Sequence, residues 1–141
     1  PIIYHMCPQS AWDEVKHEPT GTYVPEGFDK VGFIHCTSIA TGLLNVANHF
    51  YKGSKEAWIC LEIDAAACAP AKVIWEPPAP VAASSLTGTA EDVKPDKEWE
   101  GGVLLPHVYG HLNVAAVTKI YPIVRDMEGD GTFKEITGLA S

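Results

Sequence analysis

The stretch Gly32–Ser38, GFIHCTS, decides how this chain is organised. With Val31 it forms VGFIHC (31–36), a run of β-branched and aromatic residues that predicts a strand. Side chains alternate along a strand, so His35 shares a face with Val31 and Phe33, while Ile34 and Cys36 take the other. Thr37 or Ser38 is then placed to cap a helix. In IATGLLNVANHFY, Ile39, Leu43, Val46 and Phe50 recur at spacings of 4, 3 and 4, the pattern of a buried helix face. A strand end, two hydroxyls and the free N–H groups of a helix start would converge at this point. That arrangement suits a phosphate or carboxylate, although simple capping accounts for the same residues.

Upstream, IIYHM is a short apolar run suited to a strand. Ser10 precedes AWDEV with acids in the next turn, which predicts a helix over residues 11–17. Residues 18–30 carry Pro19, Gly21, Pro25 and Gly27 and read as a loop. Downstream, AWICLEI (57–63) and KVIWE (72–76) read as strands. Residues 77–102 hold four prolines and a charged run ending EWEGG, a long loop of the kind that is functional or mobile. VLLPHVYG restarts order, and AAVTKIYPIV (115–124) is a short turn leading into a closing strand. The acidic, Gly-rich tail (126–141) reads as a surface extension of a single domain spanning residues 1–125. Strands and helices mix without a regular βαβα repeat and without a Gly-rich dinucleotide fingerprint, so the fold class expected is α+β.

At 141 residues the chain can bury about 68–70% of its unfolded surface without a metal or disulfide. No stretch approaches the ~20 apolar residues of a membrane span, and PIIYHMCPQ, without a basic start and a long apolar run, does not read as a signal peptide. Cys7, Cys36, Cys60 and Cys68 form no CxxC pair, which predicts buried thiols in a reduced, cytoplasmic protein. The 18 acidic residues outnumber the 10 basic ones, and Arg125 is the only arginine. That balance argues against extended nucleic-acid binding.

Three histidines sit in apolar, strand-like settings: His5, His35 and His107. His5 shares a face with Ile3 and Cys7, and His107 with Tyr109. Polar groups on three apolar strands cost stability unless they are paired or used. Imidazole exchanges a proton near pH 7, which makes these three the candidate catalytic residues, with a core hydrogen-bonded histidine as the alternative for each. Thr37 and Ser38 are candidates for binding an anion, and Tyr51 for a pocket rim beside the core residue Phe50. Glu76, at the strand end in WEPP, is a candidate acid, base or ribose-hydroxyl acceptor, and Tyr109 could stack or donate a hydrogen bond. Glu98 and Glu100 are weaker candidates. No HxH, HExxH or CxxC spacing supports a metal site.

The ordered set IIYHM, EGFDKVGFIHCTS, VANHFY, CLEID, VIWEP and LPHVYG, spanning about residues 2–124, resembles the family catalogued as domain of unknown function 952. That family is placed among proteins with an ADP-ribosyltransferase-like fold. The resemblance implies a split, bent, mainly antiparallel sheet whose cleft holds an NAD-like nucleotide. It also implies that His5 and His35 fall near the paired histidines of RNA 2′-phosphotransferases. Those enzymes surround phosphates with arginines, and this chain has only Arg125, outside the motifs. Arg-modifying transferases carry an acid on a late strand; GGVLLPHVYG has none within it, and Glu100 lies just upstream. The expected function is a small enzyme or enzyme-derived domain that binds a nucleotide-like or other small anionic ligand. The alternatives are a non-catalytic binding or interaction module on the same fold, or a hydrolase or lyase acting on another small molecule.

Overall fold

The structure, a computed structural model, describes residues 1–77 and 104–139. The loop expected over 77–102 lies outside the described residues except for Pro77, as do Glu98 and Glu100.

Strands β1 (Ile2–Pro8), β4 (Trp58–Asp64), β8 (Val117–Arg125) and β9 (Phe133–Ile136) form one antiparallel sheet in the order β1-β4-β8-β9. A second antiparallel sheet has the order β3-β6-β5, from β3 (Ile34–His35), β5 (Lys72–Glu76) and β6 (Leu105–Tyr109). A two-stranded ribbon joins β2 (Thr22–Tyr23) to β7 (Leu112–Asn113). The helices are short: α1 (Gln9–Asp13), α2 (Phe28–Val31) and α3 (Leu43–Phe50). The chain is therefore α+β with a curled antiparallel sheet.

The sequence WICLEID explains why β4 is central. Its two faces enter different cores, as a strand apolar on both sides must. Ile59, Leu61 and Ile63 join Ile3, Cys7, Ile34, Val108 and Leu112 between the two larger sheets. Trp58 and Cys60 join Met6, Leu43, Ala47, Tyr121 and Phe133 on the side of α3. All four cysteines are buried and free. Burial lifts the Cys7 and Cys60 thiols to about 12. No helix among the described residues is long and apolar enough to cross a membrane.

Several local expectations are corrected. The strand expected over 31–36 keeps only Ile34–His35. Its start is taken by α2, which ends at Gly32 with φ +89°, a left-handed turn that glycine makes without strain. The first helix begins at Gln9; Ser10 lies inside it and donates to Glu56 Oε1 at 2.7 Å instead of capping. The loop expected over 18–30 contains β2 and α2. Ile39 precedes α3 and is 46% exposed, while Ala47 takes the buried position on the helix between Leu43 and Phe50. The tail after Arg125 is not a loose extension: β9 pairs with β8, and Phe133 and Ile136 are buried in the α3-side core. The acidic Gly-rich composition of 126–131 describes the turn before β9, and two buried apolar residues dock the strand.

Candidate functional site

The register of the three-stranded sheet brings two of the three histidines together. His35 on β3 lies opposite His107 on β6, and His107 lies opposite Ile74 on β5. Alternation sends Ile34 and Val108 into the core and leaves His35, His107, Tyr109 and Glu76 on the other face. The two imidazole centroids are 5.5 Å apart and edge-on. Phe33 packs against both, 4.2 Å from His107 in a stacked pair and 4.8 Å from His35, and it also touches Tyr109.

Glu76 organises this face. Its Oε1 accepts from His107 Nδ1 at 2.8 Å and from Tyr109 Oη at 2.5 Å. The Tyr109 hydroxyl and then His107 hold the Glu76 carboxyl below the usual carboxylate range, while the same bond raises the Tyr109 phenol. An ionised Glu76 can only accept, so His107 carries its proton on Nδ1. Nε2 is then a proton acceptor, buried and without a hydrogen-bond partner among the described residues.

His5 is held differently. Its Nδ1 lies 2.7 Å from the carbonyl oxygen of His35, which can only accept, so Nδ1 is the protonated nitrogen. Nε2 therefore accepts from the Tyr23 hydroxyl at 3.1 Å. Burial drives the His5 imidazole down to about 4, against a smaller upward pull from the His35 carbonyl. His5 is thus neutral, with both ring nitrogens occupied. It ties β1 to β3 next to a backbone bridge between their sheets, where Tyr4 and Thr37 exchange bonds of 2.7 and 2.9 Å.

A cavity of about 560 Å³ opens beside this junction. Its wall includes His5, Tyr23, Phe33, His35, Tyr51 and Trp58. Phe33 is a shared partition: it lines the cavity on one side and stacks on His107 on the other. Tyr51 stacks on Trp58 at 4.4 Å, and burial raises its phenol to about 12.

His5, His35 and Tyr51 thus meet at the cavity, whereas His107, Tyr109 and Glu76 form the cluster behind Phe33. Thr37 and Ser38 belong to neither. Thr37 is held in the bridge to Tyr4, and its Oγ1 accepts from Ile39 N at 3.1 Å. The helix begins at Leu43, after a 3₁₀ turn (Ala40–Gly42), with Gly42 at its cap and no side chain bonded there. The anion-binding helix start expected at these hydroxyls is not formed, because four residues, 39–42, separate Ser38 from the helix. Two residues of the site escaped the sequence reading. Tyr23 lay in a Pro- and Gly-rich loop with no pattern to single it out. Phe33 was assigned the face of His35, and that was the available signal.

Arg125, the single arginine, is spent on structure. Its guanidinium donates to the carbonyls of Lys52, Ser54, Glu56 and Gly131 and lies over the Phe133 ring at 4.0 Å. It fixes the 52–56 turn that forms one lip of the cavity and cannot also face a ligand there.

Residues 6–120 match the family model described as protein of unknown function (DUF952). No curated protein matches the chain. Among solved structures, the chain is similar to protein CC0527 from Caulobacter crescentus, with 21% identity and a TM-score of 0.63, covering 95% of this chain and 94% of that one. A double mutant of the same protein gives the same values. At that identity the likeness extends to the fold.

Proposed function

The chain belongs to the family described as protein of unknown function (DUF952), and from that premise we propose that it is a small enzyme or enzyme-derived domain that works on a small molecule at His35. The observation that carries this reading is the division of labour among the three histidines. His5 has both nitrogens committed within the protein. His107 is 1% exposed and lies behind Phe33. His35 alone combines a place on the cavity wall with an edge-on neighbour whose own basicity is oriented by a carboxylate.

In this reading His35 is the catalytic residue and exchanges a proton with the ligand. His107 and Glu76 are positioning residues. Glu76 fixes the His107 tautomer, and His107 packs edge-on against the His35 ring. Phe33 holds both rings and excludes water. The cavity falls within the 300–1,000 Å³ typical of small-molecule sites.

The test is an NMR screen of the protein with a small-molecule fragment library, reading His35 imidazole and Trp58 indole resonances. Fragments that bind are expected to move both, and His35→Ala, folded by its spectrum, is expected to lose the His35-dependent part of the affinity. Fragments that bind only elsewhere on the surface would overturn the reading. So would full retention of binding by His35→Ala at the cavity.

A nucleotide-like ligand is the second reading, favoured by the cavity volume and by the split-sheet resemblance, with ADP-ribosyl transfer as its chemistry. The lining fits the ring half of NAD better than its pyrophosphate. Lys55 is the cation on the wall, against Glu14, Glu26 and Glu56. Titration with NAD and ADP-ribose decides this reading, and silence at His35 removes it. A domain that binds without catalysis would bind the same fragments and turn none of them over.

A further inference from the structure

Among the described residues, the two larger sheets have four edges, and three of them are closed or charged. β1 and β3 meet where Tyr4 and Thr37 exchange backbone bonds. β9 presents Lys134 and Glu135, both exposed. Charged side chains of this kind keep an edge from pairing with another chain. The fourth edge is β5, and no described strand pairs with its outer side. Its middle is apolar on both faces: Ile74 is 41% exposed on one and Trp75 is 38% exposed on the other. Its charges stand at its ends, Lys72 and Glu76. Lys72 is exposed and has no ion-pair partner among the described residues. The Glu76 side chain is 34% exposed, and His107 and Tyr109 both bond its Oε1, which leaves Oε2 to meet another donor.

The order of these residues selects the partner. Laid antiparallel on a second KVIWE and centred on Ile74, KVIWE is its own complement. Lys72 faces the partner's Glu76, Val73 faces the partner's Trp75, and Ile74 faces the partner's Ile74. Residues directly opposite share a face, so apolar side chains meet apolar ones and each charge meets its opposite. A parallel, in-register alignment would set lysine beside lysine and glutamate beside glutamate instead. We propose that β5 is a homodimer edge, pairing antiparallel with β5 of a second copy across a two-fold axis at Ile74. The same patch serves both copies, so the contact closes at two. The sheet order β3-β6-β5 then runs on into β5-β6-β3 of the second copy. The partner's Lys72 lands beside Glu76, which adds a cation to the Glu76, His107 and Tyr109 cluster. The inference stands apart from the cavity and does not depend on a ligand there.

The test is sedimentation of the full chain over a series of concentrations. A dimer with a dissociation constant of about 10–100 μM is expected, because two short strands bury less than the ~1,200 Å² of stable complexes. Lys72→Glu sets carboxylate against carboxylate at both ends of the interface, and Glu76→Lys sets ammonium against ammonium. Each variant alone is expected to weaken self-association at least about tenfold. Mixed in equal amounts, the two restore both charge pairs and are expected to form a heterodimer within about threefold of the native affinity. Ile74→Lys puts two lysines at the centre of the contact and is expected to sediment as a monomer.

Four results overturn the proposal. The first is a native chain that stays monomeric up to about 1 mM, the weak end of specific association. The second is a dimer that survives Ile74→Lys, which places its surface elsewhere. The third is Lys72→Glu associating as tightly as the native chain. The fourth is a mixture of the two charge variants, both folded by their spectra, that associates no more tightly than either alone. Lys72 and Ile74 are exposed, so their variants decide the question even if Glu76→Lys fails to fold.

Discussion

His5 and His107 look alike in the sequence, each a lone histidine in an apolar strand, but the two sheets use them in opposite ways. On β1, His5 is closed: a carbonyl takes its Nδ1 proton and a tyrosine hydroxyl caps Nε2. On β6, His107 is open: Glu76 takes Nδ1, and Nε2 has no hydrogen-bond partner among the described residues. Both are more than nine-tenths buried, at 7% and 1% exposure, so burial does not separate them. The count of hydrogen bonds does. A buried polar group that is fully bonded holds a fold together, while one left with a free lone pair costs stability and is retained for another reason.

The sharpest break of this contrast is to delete each ring. His5→Ala removes two hydrogen bonds, orphans the Tyr23 hydroxyl and opens a cavity at the join between two sheets. A loss of about 3–5 kcal/mol is expected by chemical denaturation, in the range of large-to-small core changes. His35→Ala, at a half-buried cavity wall, is expected to cost about 1 kcal/mol. Equal losses would mean that the His5 knot carries no special structural weight.

Acid probes the same knot. The folded-state value of His5, about 4, lies below its unfolded value near 6.5, so between those limits the unfolded chain binds the extra proton. The stability contributed by neutral His5 is therefore full above about pH 6.5 and is lost as pH falls through about 4. The full difference is about 3 kcal/mol, at 1.36 kcal/mol per unit. Stability measured from pH 7 to 4 should fall more steeply in the native chain than in a folded His5→Asn variant. Parallel curves would assign acid sensitivity to other groups.

Tyr23→Phe is a milder break. It leaves His5 Nε2 without its partner while keeping the ring. A cost of about 1–3 kcal/mol is expected, the penalty for one unsatisfied buried acceptor. If thermal unfolding shows no change, the 3.1 Å contact is not a working hydrogen bond.

How much of this was legible beforehand follows from the range of each interaction. KVIWE is β5 to the residue, and AWICLEI is β4 shifted by one, because β-branched and aromatic runs are local signals. The α3 face was read with Ile39 and Val46 in place of Ala47. Spacing fixes a period but not where a helix starts, and a 3₁₀ turn delayed the start. The pairing of His35 with His107 spans 72 positions and depends on sheet register, which the local pattern does not encode. Both histidines could still be singled out, because imidazole is out of place on an apolar strand. The Tyr23 partner could not, since a tyrosine among prolines and glycines has no pattern around it. The β9 strand was hidden for the opposite reason: six polar and glycine residues before it masked the buried Phe133 and Ile136.

The smallest effect on stability is expected at Glu76, and it is the most telling about chemistry. Glu76 and Tyr109 both reach solvent, so Glu76→Gln should leave the unfolding midpoint nearly unchanged. What it changes is the proton on His107. A carboxylate can only accept, which holds that proton on Nδ1 and leaves Nε2 basic. A glutamine can turn either its carbonyl or its amide toward the ring, so the tautomer is no longer forced. Nitrogen-15 spectra of the imidazoles should show a protonated Nδ1 and a bare Nε2 in the native chain, and a mixture of the two tautomers in Glu76→Gln. Tyr109→Phe separates the two contacts to the carboxyl. It removes the larger cause of the lowered Glu76 titration but leaves the His107 bond, so the native tautomer should persist. If Glu76→Gln leaves both nitrogens as they were, the tautomer is set by something other than Glu76. The open valence on β6 then loses the group that was said to aim it.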